Sequence, residues 1–257
     1  MISPADAPPT VAANKPPSPG SLVRRSIRLV RENPRDLLLP ALVVQVPLAI
    51  LSAAATAILF STAFKDEPFD SGNLLRGAES GAPLLAVIVI QAVNSLFGLV
   101  AHAATVVAAL GVLRPPRKGL ARSLDPAFTH LGTLLAFLAG MVALSFTLVG
   151  VLLLPRLALA PTVAVVEGAP AGRSVGRSWT LMRGQVLRFL GAIILVVIAF
   201  LLAAMVVILP ASILAALLPD SPSRGVEIGV DAGATMVGGF LSVPFVGLGS
   251  AVIALFY

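Results

Sequence analysis

The sequence predicts an all-α fold: a polytopic membrane bundle of six transmembrane helices with short amphipathic cytoplasmic elbow helices. Three observations carry that reading. Of 257 residues, 57% are hydrophobic and only 12% charged, with a mean hydropathy of +0.98, whereas soluble domains carry about 25% charged residues. The apolar residues fall in long continuous runs, not in the short alternating segments of an outer-membrane barrel. Basic and acidic loops alternate along the chain.

Residues 1–20 hold six prolines and no apolar core. That excludes a secretory signal peptide and predicts a disordered cytoplasmic tail, leaving 21–257 as a single membrane domain. A crossing needs roughly 20 apolar residues, which places spans at about 37–60, 84–113, 187–209 and 236–256, with Pro210 kinking or ending the third of these. The run 131–166 is too long for one helix and is interrupted by Gly150 and Pro155.

Charge decides how that run is divided. The loop 61–83 carries Lys65 and Arg76 against Asp66, Glu67, Asp70 and Glu79, and 219–233 carries Arg224 against Asp220, Glu227 and Asp231. Both are net acidic and are assigned outside. Three other segments are basic: Arg24, Arg25, Arg28, Arg31 and Arg35; Arg114, Arg117, Lys118 and Arg122; Arg173, Arg177, Arg183 and Arg188. The positive-inside rule places these in the cytoplasm. The chain therefore crosses an even number of times between 122 and 173, read as a hairpin of spans 131–148 and 150–167, with a re-entrant loop as the alternative. Both termini are then cytoplasmic.

Each basic segment also has an apolar face. In the first, Leu22, Val23, Ser26, Ile27 and Val30 share one side at helical spacing, with Arg24, Arg28, Arg31 and Arg35 mainly on another. Such a helix lies in the interface and pairs with anionic head groups; Asn33-Pro34 stops it. Arg177, Ser178, Leu181 and Arg183 repeat Arg25, Ser26, Leu29 and Arg31 in register, and Arg122-Ser123 is a shorter echo. Elbow plus hairpin, three times, describes the chain, as internal repeats do in transporter folds. The alternative is that arginines simply precede inward ends.

The stretch 156–184 runs Arg156-x-x-Leu-Ala-Pro, Val-Val-Glu-Gly, then Arg-Ser-Trp-x-Leu-x-Arg-Gly, and a second stretch runs from Asn33 through NPRDLLLPALVVQVPLAIL. Together they resemble the glycerophosphoryl diester phosphodiesterase membrane-domain family, with a departure in the short Gly- and Ser-bearing link at 168–176. The resemblance implies a six-helix bacterial inner-membrane protein. It does not imply phosphodiesterase activity, because the associated catalytic domain is a separate TIM barrel for which this chain has neither length nor residues.

Polar groups within spans are expensive and so become site candidates. Gln91, Asn94, Ser95, Gly98, His102 and Thr105 fall on one face of the second span, either lining a pathway or head-group pocket or making interhelical hydrogen bonds. Arg156 is read as two turns into the fourth span. There it either snorkels to the outer interface or points inward to meet Gln91 and Asn94 and to bind phosphate or carboxylate. Glu167 is expected to pair with Arg173 or Arg177. Gly233, Ala234, Gly238, Gly239, Ser242, Gly247 and Gly249 of the last span are nearly all read as packing residues, with Ala234, Gly238 and Ser242 as a row at i, i+4 spacing.

The chain has no cysteine and two histidines, and it lacks Walker A, GxSxG, HExxH and dinucleotide motifs. No cofactor or metal is expected. All 18 basic residues except Lys65, Arg76, Arg156 and Arg224 lie in the tail or the cytoplasmic segments, so topology accounts for a pI of about 11.0 without nucleic acid. The functional expectation is a non-enzymatic membrane protein, a scaffold or accessory subunit, with Arg24, Arg28, Arg31, Arg177 and Arg183 contacting anionic lipid and a possible protein partner in the membrane. The alternative is a transporter or flippase-like carrier of a lipid or small amphiphile.

Overall fold

A computed structural model describes residues 17–63, 82–114, 119–147, 153, 155–216 and 224–257. The tail to residue 16, the loop charges of 64–81, Arg117, Lys118, Gly150 and Asp220 lie outside the described residues. The described chain is helical, without strands, and is a membrane protein by its long apolar helices: four are long and apolar enough to cross, or five if one bent pair counts as a span.

Helix α1 (Pro19–Glu32) starts inside the stretch read as tail. Ser18 caps it, accepting from the Ser21 amide, and Pro19 occupies the first turn, where its missing N–H costs nothing. Helix α2 (Pro34–Ala63) begins at a second such proline and runs through Pro40 and Pro47. Helix α3 (Ala82–Leu113) is the second crossing helix. Two helices follow, α4 (Leu120–Thr129) and α5 (Leu131–Ser145), bent by 63° at their junction. Then come α6 (Ala160–Glu167) and α7 (Ala171–Leu181). Long helices α8 (Val186–Ala216) and α9 (Arg224–Phe256) complete the chain.

The bundle is built around α2, α3 and α9, whose mutual packing is the most extensive in the molecule. The hydrophobic window of α3 is 56% buried and that of α8 only 17%, so α8 is peripheral, packed on α9 and α1. One core cluster fixes the relative direction of the crossing helices. It joins Leu37 at the start of α2, Val106 and Ala109 near the end of α3, Phe189 at the start of α8 and Ile253 and Ala254 at the end of α9, with Leu159 and Met182 beside them. The four crossing helices therefore alternate in direction, and both α1 and α9 reach the same end of the bundle.

Several sequence expectations change. The return arm expected at 150–167 is not one continuous helix: among the described residues a short helical stretch at 155–157 is broken at 158–159 before α6, which carries Pro161 in its first turn. Helix α9 begins at Arg224, well before 236, because no proline interrupts 224–243. Helix α8 continues through Pro210 to Ala216; a proline inside a membrane helix is tolerated where neighbours or local adjustment satisfy the freed carbonyl. Of the small residues of α9 read as packing, Gly239 and Gly247 make the close approach and Gly238 does not. A Cβ at Gly238 would meet nothing within 4 Å, whereas one at Gly239 would lie 2.3 Å from Ala49 Cβ and one at Gly247 would lie 2.8 Å from Leu38 Cδ2. Gly239, Val243 and Gly247 are the close-approach face, and Ser242 turns back to donate to the Gly239 carbonyl at 2.6 Å.

Candidate functional site

Each of the three basic segments forms a short helix that buries two positions four residues apart: Leu22 and Ser26 on α1, Ser123 and Ala127 on α4, Ser174 and Ser178 on α7. That spacing is one turn on one face. The serine following arginine is fully buried in all three, and the arginine itself (Arg25, Arg122, Arg177) is exposed. A small hydroxyl lets the helix lie close to its neighbours, and its proton is satisfied locally. Ser26 donates to the Leu22 carbonyl at 3.0 Å and Ser123 to Leu120 at 2.8 Å, while Ser178 reaches across to Arg156 at 2.6 Å. On α1 the inward face differs by one position from expectation. Ile27 is 48% exposed and Leu29 packs inward instead, since α1 lies across α8 and α9 rather than along its own span. Arg24, Arg28, Arg31 and Arg183 are all exposed.

The structure separates Arg156 from the polar stripe of α3. Its guanidinium lies 4.5 Å from the ring centroid of Trp179, an attractive cation–π distance. Both Trp179 and Ser178, which bonds the Arg156 carbonyl, belong to α7. By residue 156 the chain has therefore already returned to the level of the basic helices. The expected contact with Gln91 and Asn94 is thus corrected; Arg156 is exposed and costs no buried charge.

Most of the stripe is engaged in contacts within or between helices. Ser52 of α2 donates to Asn94 Oδ1 at 2.7 Å. Ser95 and Thr105 donate to carbonyls of their own helix, Gln91 and Ala101. A Cβ at Gly98 would sit 3.8 Å from Gln45 Nε2, while Gln91 is exposed at the far end. His102 meets α9: Ser250 Oγ lies 2.9 Å from its Nδ1 and 3.2 Å from its carbonyl oxygen. A neutral ring that donates from Nδ1 to the hydroxyl, which in turn donates to the carbonyl, satisfies all three groups. Among the described residues no buried side-chain nitrogen or oxygen lacks a partner, and no group of three or more potential metal ligands forms.

Glu167 pairs with Arg177, whose Nε lies 3.4 Å from Oε1. The same oxygen accepts the hydroxyl of Tyr257, a contact the sequence did not suggest. Tyr257 is carried there by the end of α9, beside Arg114 and Val166. Burial pushes the phenol above its ordinary range, reinforced by the hydrogen bond to Glu167 and its charge and opposed by Arg177 and Arg114. The phenol therefore remains a neutral donor at physiological pH, and its contribution would be lost only as pH rises above the ordinary tyrosine range. Pieces of the 156–184 motif thus converge on one corner: Arg156, Ser178 and Trp179 touch each other, and Glu167 reaches Arg177. Two of its glycines adopt positive φ, 62° at Gly168 and 74° at Gly184, which favours glycine. No family model, curated protein or solved structure matches the chain.

Proposed function

We propose that the chain is a non-enzymatic integral membrane protein, a scaffold or accessory subunit, that holds anionic phospholipid against an arginine face at the cytoplasmic side of the cell membrane. The observation that carries this reading is the shared design of α1, α4 and α7. Each buries two positions one turn apart and leaves its arginines exposed. That is the pattern of a helix lying in the interface. An arginine near an anionic leaflet contributes about 1 kcal/mol. The carrier reading loses its lined pathway, because Asn94 and His102 are taken by Ser52 and Ser250. The likeness to the glycerophosphoryl diester phosphodiesterase membrane-domain family enters as a membrane topology and carries no catalysis.

The experiment compares lipid retained after purification by the wild-type chain and by the Arg24→Gln, Arg28→Gln, Arg31→Gln variant. The variant is expected to retain anionic lipid several-fold less well and to keep its helicity. Equal retention by both would reduce these arginines to solvated charges.

The topology proposed with it has an even number of crossings and both termini cytoplasmic. Four crossing helices and a re-entrant α5 suit the packing better than six spans. A helical return arm needs roughly 20 residues, whereas only 146–155 separate Ser145 from the elbow level reached at Arg156. A cysteine placed at exposed Thr147 is expected to resist membrane-impermeant reagents from the outside. Outside labelling there would restore the full hairpin and six crossings.

A further inference from the structure

Between α2 and α3, above α4, lies an apolar groove of about 390 Å³ lined by Val43, Pro47, Leu51, Val93, Phe97 and Phe128 among others. Its size falls in the range of about 300–1,000 Å³ typical of ligand pockets. Pro47 is part of the wall. With no N–H it leaves one carbonyl of the α2 ladder without its usual partner. The flank is open: Leu51 is 67% exposed and Val89 53%. A chain already in the bilayer could enter sideways without crossing a polar barrier. Along α2 the lining runs from Val43 to Ala55, about 18 Å at the helical rise.

The lower end of the groove is charged. One turn below Val43 and Leu124, a small polar recess is formed by Arg35, Asp36, Leu39, Pro40, Leu120 and Ser123. Asp36 belongs to the first turn of α2, where the helix dipole favours a carboxylate. Arg35 makes no ion pair with a described residue, and exposed Arg122 lies next to Ser123 on α4. Guanidinium groups bind phosphate oxygens bidentately. We infer that this groove is a specific site for one acyl chain of an anionic phospholipid of the cytoplasmic leaflet, with the phosphate held at Arg35. The inference rests on the membrane reading above and adds to it a defined, stoichiometric site distinct from the arginine face of α1. Filling an apolar groove with a methylene chain restores the dispersion contacts its lining lacks.

The test uses full-length protein reconstituted in vesicles of phosphatidylglycerol and phosphatidylcholine in equal parts, then extracted and examined for bound lipid by native mass spectrometry. The wild type is expected to keep one lipid per chain, with phosphatidylglycerol enriched several-fold. Ala55→Phe with Val93→Phe fills the groove and should abolish that adduct. Arg35→Gln should keep a lipid but lose the enrichment. The Arg24→Gln, Arg28→Gln, Arg31→Gln variant should keep the groove lipid, so failure of the arginine face and failure of the groove are separable. A photoactivatable acyl chain should crosslink to 43–55 of α2 in the unmutated protein, which requires no altered fold. No retained lipid in the wild type, an undiminished adduct in the filled variant, a polypeptide rather than a lipid in the groove, or crosslinks confined to α8 would overturn the inference.

Discussion

Gly239→Ala is expected to destabilise the bundle by about 2–3 kcal/mol, near the upper end of the usual cost of overpacking. The added methyl would sit 2.3 Å from Ala49 Cβ, against a normal carbon contact of about 3.5–4.0 Å. The opposing atom is fixed to the α2 backbone, so no rotamer change relieves the clash and the two helices must separate. In a membrane, helix association relies on such close van der Waals contact between small residues, and α2 with α9 is the most extensive pair in the fold. Gly238→Ala is the control. Nothing lies within 4 Å of its Cβ position, so the substitution should be neutral or stabilise by up to about 1 kcal/mol through helix propensity. Loss of helical circular dichroism in a denaturing-detergent titration measures both. Equal behaviour of the two variants would mean that Gly239 does not form the α2–α9 contact.

Ser250→Ala is expected to cost about 1–2 kcal/mol in the same titration. Ser250 is fully buried and, among the described residues, is the partner of His102 Nδ1. Removing the hydroxyl strands a polar ring nitrogen, at a cost of about 1–3 kcal/mol in proteins generally. Interhelical bonds in membranes measure lower, at most about 1.7 kcal/mol in one studied protein, which sets the lower expectation. Ser95→Ala, which removes only a bond to the carbonyl one turn back, should change stability by less than about 0.5 kcal/mol. A Ser250→Ala variant as stable as the Ser95→Ala variant would show that α3 and α9 do not depend on this pair.

The two errors of register have a common physical origin. In a soluble helix the polar side tells which face packs, but a membrane helix is apolar all round, and α9 offers two interleaved rows of small residues. Choosing Gly239 over Gly238 requires knowing where α2 lies, which no local pattern encodes. The short basic helices were legible because they are amphipathic: arginines and apolar residues at helical spacing give both the element and its inward face, apart from Ile27. The run 131–166 was not. A long apolar run reports how many residues are hydrophobic, not where the chain turns back, and Arg156, which that reading puts two turns into a span, lies at the level of the basic helices. The parity argument from loop charge does not distinguish these readings, since zero and two crossings are both even. The Tyr257–Glu167 contact joins residues 90 apart in sequence, and no spacing rule addresses it.

The protein has a single tryptophan, and it stands on α7, 42% exposed beneath the guanidinium of Arg156. It reports the depth of a basic helix without any substitution. Quenching of Trp179 fluorescence by phospholipids brominated at shallow and at deep acyl positions measures that depth directly. If α7 lies in the interface with its arginines toward the head groups, shallow bromines should quench strongly and deep ones weakly, with the shallow effect greater when the brominated lipid is anionic. Stronger quenching by deep bromines would put α7 in the hydrocarbon core and contradict an arginine face at the membrane surface.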